Sequence, residues 1–364
     1  MRLSIISRLR CPAAGPRTAC NGALVLESQA PSPVVTLAGR ELHEGLLACT
    51  ECGASYPVVT GVPLLLPNIL SWLRFNYYYV MEGAARVGGI GPGLMAWLDD
   101  RDWHLGNQLA DNYYETPRWV NIFSVTHYVS PCLAAPGSSL LDTLVASRPS
   151  VFEVAARMIG RHLAKPAAFA LDVGTNVGGM AYRLGEFAGA ILGIDVAFNP
   201  VLMARRVNLG LPLPIEQVRQ YLDGHHYAPH EVRRGPENAE FLVASIDHLP
   251  VQGRFGLITA LNVVDVVAQP RSFLARVSAL LETDGLLLVT SPYSWASDSV
   301  PIEEWLGGTR ELASADAVRD TMRSCDLEIV EEVDDVPWVL QEHRRWYRVF
   351  LNHCILARKR GDGG

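Results

Sequence analysis

The chain has 364 residues, 49% of them apolar and 19% charged, with a formal net charge of −7 at pH 7. That length suits one large domain with a smaller companion, and the acidic balance argues against nucleic acid as a substrate. No apolar stretch of signal-peptide length opens the chain and no run of about 18 apolar residues occurs, so a soluble cytoplasmic protein with no membrane partner is expected.

In chain order, residues 1–67 stand apart. Four of the seven cysteines fall before residue 53. Cys49-Thr-Glu-Cys52-Gly53 is a knuckle, two thiolates three apart with a glycine that admits a tight turn. Cys11 and Cys20 supply a second pair for a tetrahedral four-sulfur site, provided the residues between them loop out. In a reducing compartment such a set reads as metal rather than disulfide. Four sulfurs leave no open coordination position, so the metal would be structural.

Residues 68–150 read as a mostly helical connector. Ser71–Met81 is rich in aromatics, and Arg86–Gly93 is a glycine-rich loop. Asn107–Tyr128 sets Tyr113, Tyr114 and Glu115 at a turn before Pro117, with His127 and Tyr128 one short helix later. On pattern alone these aromatics suit a core better than a site. Pro149–Leu163 is an amphipathic helix leading into residues 151–364.

The chain is organised around an apolar run ending at Asp172, then Gly174, Gly178 and Gly179, a helical pattern, and a second apolar run ending at Asp195. That is one βαβ unit of a parallel sheet, its glycines allowing a ligand to approach the backbone. Asp195 at a strand tip can accept from ribose hydroxyls. Residues 210–237 form an insertion whose His225, His226 and His230 lack a metal-ligand pattern. Phe241–Ala244 reads as a third strand followed by Ser245-Ile246-Asp247, and Phe255–Ala260 as a fourth ending in Asn262 and Asp265. Polar residues there face the ligand crevice, although Asp265 suits capping of the next helix equally well. The fifth strand, Gly285–Thr290, ends in Ser-Pro-Tyr293-Ser-Trp. A helix (Ala315–Cys325) and two strands (Leu327–Val333 and about Val349–Ala357) close the chain.

The acid-led turn from Asp172 to Gly179 resembles the first motif of class I S-adenosylmethionine (SAM) methyltransferases. It departs from that pattern at Asn176, where the family carries a glycine. The resemblance implies an α/β, Rossmann-like seven-stranded sheet of order 3-2-1-4-5-7-6. It implies that Asp172, Gly174, Asn176 and Gly178 hold the methionine end of SAM, and Asp195 with Val196 the ribose side. Ile246, Asp247 and Asn262 would complete the cofactor site, Asp247 accepting from the adenine amino group. Residues 10–67, with their cysteine pairs, Tyr56-Pro57 and Gly61-Val62-Pro63, resemble the zinc-ribbon domain related to the activator subunit of tRNA and protein methyltransferases. This implies structural zinc on Cys11, Cys20, Cys49 and Cys52, and leaves open whether the ribbon pairs two chains as a homodimer.

Later motifs narrow the resemblance. NYYE at 112–115, HY at 127–128, LNVVD at 261–265, SPYSW at 291–295, EEWLGG at 303–308 and QEHRRWYR at 341–348 together resemble the mercaptohistidine imidazole N-methyltransferases of ovothiol biosynthesis. The substrate class so implied is a small histidine-like imidazole. The ring must stay neutral and give up a proton, so a carboxylate on its N–H is required, and Asp265 is the first candidate. Tyr293 would orient the ring; His343 and Glu342 are second choices as base. Tyr113, Tyr114, His127, Tyr128 and Trp305 would line the substrate pocket. The rival readings are a methyltransferase acting on another small molecule, RNA or protein, and a non-catalytic SAM-binding protein.

Overall fold

The computed structural model describes the chain apart from residues 14–19, 29–32, 37–39, 101–111, 130–148, 216, 225, 344 and 362–364. The loop expected between Cys11 and Cys20, the start of the Asn107–Tyr128 segment, and His225 therefore lie outside the described residues.

Strands β1 (Leu24–Leu26), β2 (Val34–Thr36), β3 (Glu41–Cys49), β4 (Ser55–Val59) and β5 (Val62–Leu65) come first. Helices α1 (Ile69–Ala85), α2 (Pro92–Asp99), α3 (Pro117–Tyr128) and α4 (Val151–His162) follow. The α4 start is a full capping box, Ser150 and Glu153 each accepting the other's backbone N–H, which explains why the amphipathic pattern begins there. Its apolar residues Val151, Val154, Ala155, Met158 and Ile159 are all buried against the sheet.

The alternation then runs β6 (Ala167–Val173), α5 (Gly179–Leu184), β7 (Ala188–Asp195), α6 (Phe198–Leu209), the hairpin β8 (Val218–Asp223) and β9 (His226–His230), then β10 (Ala239–Ala244) and β11 (Phe255–Leu261). Last come α7 (Pro270–Leu280), β12 (Leu281–Ser291), α8 (Ser314–Ser324), β13 (Leu327–His343) and β14 (Trp346–Lys359). Along β10-β7-β6-β11-β12-β14-β13 the order is third, second, first, fourth, fifth, seventh, sixth. The expected 3-2-1-4-5-7-6 sheet is present, parallel through β12 and antiparallel from β14 onward. The parallel strands are nearly continuous apolar runs because both faces are covered.

Beyond β10 the sheet does not stop. β5 pairs parallel with it (Val243↔Leu64, Ala244↔Leu65), so the cysteine-bearing strands and the methyltransferase-type sheet form one 12-stranded sheet. This covers an edge that would otherwise expose unpaired backbone. Arg205 of α6, buried, ties the junction by ion pairs with Glu41 of β3 and Glu240 of β10.

The closing hairpin is longer than the apolar pattern indicated. An irregularity between Val333 and Val336, with Asp335 at φ 54°, lets β13 continue to His343 past the end of β12. The extension rests on side-chain bonds from distant elements, which no local pattern records. Thr126 donates to the Val339 carbonyl at 3.2 Å, Gln220 to Gln341 at 2.6 Å, and Arg118 pairs with Glu342 at 2.8 Å. The 210–237 insertion is the β8–β9 hairpin, with His230 on Gln220 rather than on a metal.

Candidate active site

Asp172 ends β6 fully buried. One oxygen accepts from the Thr259 hydroxyl at 2.7 Å, the other from the Thr175 hydroxyl at 2.7 Å and from the Ala181 N–H at 3.2 Å. Burial pushes its carboxyl up to about 6, against those three donors. All its contacts are internal, so Asp172 organises the glycine turn from beneath instead of facing the crevice.

The turn itself is left-handed at Gly174 (φ 68°), Asn176 (φ 49°) and Gly178 (φ 89°). Asparagine is the non-glycine residue best suited to that region, so the Asn176 departure keeps the turn's shape. A Cβ on Gly174 would meet Val263 at 2.5 Å, which brings the turn close under the loop after β11. Asp195 faces the turn and accepts from Asn176 N–H at 2.9 Å and Ala197 N–H at 3.0 Å, one per oxygen. Each oxygen keeps a lone pair for a further donor. Val196 beside it is 51% exposed, an apolar shelf at the strand tip. Ile246 is buried, and Asp247 is exposed with only a long ion pair to Arg276. Two acceptor oxygens, an apolar shelf and a backbone stripped of Cβ fit a nucleoside with a ribose diol, as SAM has.

Across the crevice, Asn262 is left-handed (φ 56°) and its side chain accepts from the Thr290 hydroxyl at 3.2 Å. Asp265 is 1% exposed. One of its oxygens accepts from both the N–H and the hydroxyl of Ser294, at 2.9 and 2.8 Å. The other has no partner among the described residues. The next helix, α7, has Gln269 at its N-cap, so capping does not account for Asp265.

Tyr293 and Trp295 on the same loop both hold positive φ (53° and 41°), a concentration of strained backbone typical of functional turns. Tyr293 Oη lies 2.9 Å from His353 Nδ1. Burial raises the Tyr293 hydroxyl and lowers the His353 ring, so the phenol is the donor and a neutral imidazole the acceptor. Trp295 stacks between Tyr293 and Trp305, at 6.4 and 6.1 Å, and Trp305 donates to the Val300 carbonyl. Trp305 therefore backs Trp295 in the wall of the loop.

Tyr113 and Tyr114 stack at 4.2 Å and are 40% and 37% exposed. Burial of its hydroxyl end, Tyr113, and then the charges of Asp195 and Asp265 raise the Tyr114 phenol, so its oxygen sits in the field of both crevice acids.

Three expectations are corrected here. His127 is buried and its Nδ1 accepts from the Gly179 N–H at 3.1 Å, and Tyr128 donates to the Val177 carbonyl. Both residues strap the glycine turn from the far side of α3 rather than close the pocket, because α3 packs on α5. Burial, then the Arg183 charge, lowers His127 to about 3, so the ring is neutral and free to accept. His343 lies at the tip of the β13–β14 hairpin, where its Nδ1 accepts from the Arg345 N–H. The second-choice base Glu342 is paired with Arg118 and Arg348. His353 and Ser294 do sit at the crevice. Ser294 lay within a motif, but His353, in an apolar strand, gave no sign.

The sulfurs of Cys11, Cys20, Cys49 and Cys52 all lie within 4.8 Å of one another, with Cys11–Cys52 and Cys20–Cys49 at 3.6 Å. A tetrahedron with metal–sulfur bonds of ~2.3 Å has edges of about 3.8 Å. The N–H groups of Glu51 and Cys52 point at Cys49 Sγ. Among the described residues this is the one group placed to hold a metal ion.

A family model described as a methyltransferase domain matches residues 151–332, half of the chain. The chain belongs to this methyltransferase family. Its methyl donor is SAM, in keeping with the crevice just described. No curated protein matches the sequence. Similar solved structures include the N-methyltransferase NodS from Bradyrhizobium japonicum WM9, 14% identical over 58% of this chain and 97% of that one, TM-score 0.38. Another is magnesium protoporphyrin IX methyltransferase (ChlM) from Synechocystis PCC 6803 with bound SAH, 12% identical over 67% and 93%, TM-score 0.41. No described helix is long and apolar enough to cross a membrane.

Proposed function

We propose that this methyltransferase acts on a ring nitrogen of a small, histidine-like imidazole, with residues 68–150 capping the pocket of a 151–364 catalytic domain. The observation that carries the proposal is Asp265, a carboxylate buried beside the strand tips with one oxygen locked by Ser294 and the other unpartnered. A buried acceptor of this kind needs a donor, and an azole N–H supplies one.

When bound, SAM supplies an electrophilic methyl group on a sulfonium. The chain's part is to hold the ring nitrogen in line and near-attack range, and to receive the proton from the other nitrogen. The free oxygen of Asp265 accepts that N–H, selecting the tautomer whose opposite nitrogen carries the lone pair. As the ring becomes cationic on methylation, the N–H acidifies and the proton passes to the same oxygen. Ser294 holds the carboxylate in register, and Tyr293, oriented by its bond to His353, lines the ring's approach. Asp195 and the glycine turn hold the nucleoside side, and the stacked Tyr113 and Tyr114 cap the pocket.

In the same proposal, residues 1–67 are a zinc ribbon with a structural ion on Cys11, Cys20, Cys49 and Cys52, supported by the tetrahedral sulfur spacing. A SAM-consumption assay across histidine, thiol-substituted histidines, carnosine and bulk tRNA tests the acceptor class. Turnover with an imidazole compound and none with tRNA is expected; turnover confined to tRNA would overturn it.

A further inference from the structure

Helix α6 starts directly after the Asp195–Val196–Ala197 segment that forms the ribose side of the crevice. Its N-cap is Ala197, which has no side-chain acceptor and leaves the first-turn N–H groups orphaned. The acceptors come from far away in sequence. Glu115, wholly buried, accepts the Phe198 N–H on one oxygen and the Asn199 N–H on the other, both at 2.7 Å. The Asn199 side chain answers, donating to the Glu115 carbonyl at 2.8 Å and to the Tyr79 carbonyl of α1 at 3.1 Å. Three segments thus close on the Glu115–Asn199 pair. Glu115 also ends the turn that presents the stacked, part-exposed Tyr113 and Tyr114.

We propose that Glu115 is a positioning residue that couples the cofactor segment to the acceptor cap. By capping α6 from the Tyr113–Glu115 turn, it sets Asp195 and Tyr114 in one register, so nucleoside binding and completion of the acceptor pocket are linked. Glu115 touches neither ligand. The inference rests on the SAM-dependent reading of the crevice.

Among the described residues, the charge of Asp195 acts on Glu115, and Arg86, itself paired with Glu82, lines the same small cavity, to which α3 contributes Pro117 and Val120. Burial raises the Glu115 carboxyl to about 7, opposed by the two N–H bonds, with Asp195 adding to the rise. The sign follows from linkage. A carboxyl raised in the fold favours the folded state most at low pH, and that contribution fades as pH rises through about 7. The clasp runs the other way, because only the ionised group offers an acceptor to both N–H groups. Nucleoside affinity should therefore rise with pH through about 7 while the Glu115 contribution to global stability falls.

The test is calorimetric titration with S-adenosylhomocysteine between pH 6 and 8, on wild type and Glu115→Gln, with thermal unfolding alongside. Wild-type affinity is expected to climb across that range. Glu115→Gln is expected to bind about tenfold more weakly at pH 8, the scale of a lost charge-assisted hydrogen bond, with a flat pH profile. A folded Glu115→Gln protein with wild-type affinity and profile overturns the inference alone. Should that variant fail to fold, Asn199→Ala, which removes the answering bonds to the Glu115 and Tyr79 carbonyls, takes its place: weaker S-adenosylhomocysteine binding supports the inference and wild-type affinity overturns it. A wild type that binds no S-adenosylhomocysteine at any pH overturns the SAM reading and the inference together.

Discussion

Beneath one side of the crevice Asp172 has three donors across its two oxygens, and above it Asp195 has two backbone N–H groups; on the other side Asp265 has one oxygen doubly bonded and one with no partner among the described residues. The glycine turn is wired largely within one βαβ unit, with Thr259, His127 and Tyr128 added from outside it. The side we propose for the acceptor is assembled from the loops after β11 and β12, the turn before α3, and His353 on β14. The difference teaches where a shared fold ends and an individual substrate begins. A satisfied turn can serve any nucleoside-bearing methyl donor, whereas a buried acceptor left open must be filled by one kind of donor.

The comparison can be broken most sharply at Asp265. Asp265→Asn is expected to lower turnover by about 10²-fold or more while S-adenosylhomocysteine affinity stays at wild type, because only the proton acceptor is lost. Steady-state kinetics beside calorimetry check this; an unchanged kcat would remove Asp265 as base. On the other side, Gly174→Ala should do the reverse and cripple cofactor binding. Its φ of 68° strains any Cβ, and that Cβ would lie 2.5 Å from Val263. A cost of about 1–3 kcal/mol is expected, read as at least fivefold weaker nucleoside affinity.

A third test leaves the crevice. Chelation should release about one zinc per chain and lower the unfolding temperature, since four sulfur ligands make a closed structural site. Protein purified without chelator and found free of metal would refute the ribbon. The smallest effect is expected for Tyr293→Phe. It removes one hydrogen bond to His353, worth about 0.5–1.5 kcal/mol, so kcat/KM should fall by no more than about tenfold.

How much of this was legible in the sequence divides along the same line. The strands and the glycine turn could be read because their signals are local: apolar runs, acids at strand tips, glycines at fixed offsets; the order of the strands came only from the family resemblance. The four cysteines likewise announced a cluster that the fold does assemble. His127 and Tyr128 misled because a short helix with aromatics carries no record of which neighbour it will meet. They met α5, and a Cβ on Gly179 would lie 2.4 Å from His127 Nδ1. His343 misled for the opposite reason, since β13 runs past the sheet and carries it to a hairpin tip.

The sequence alone determined the βαβ periodicity, the left-handed positions of the turn and the cysteine spacing, because each is set by backbone sterics and short-range pattern. Tertiary structure alone decided that β5 would cover the β10 edge, that Glu115 would cap a helix whose own N-cap is alanine, and that Asp265 would be buried with one oxygen bare. Those outcomes depend on groups tens to hundreds of residues apart finding one another. Only the packed chain decides which polar atom is met and which is left for a ligand.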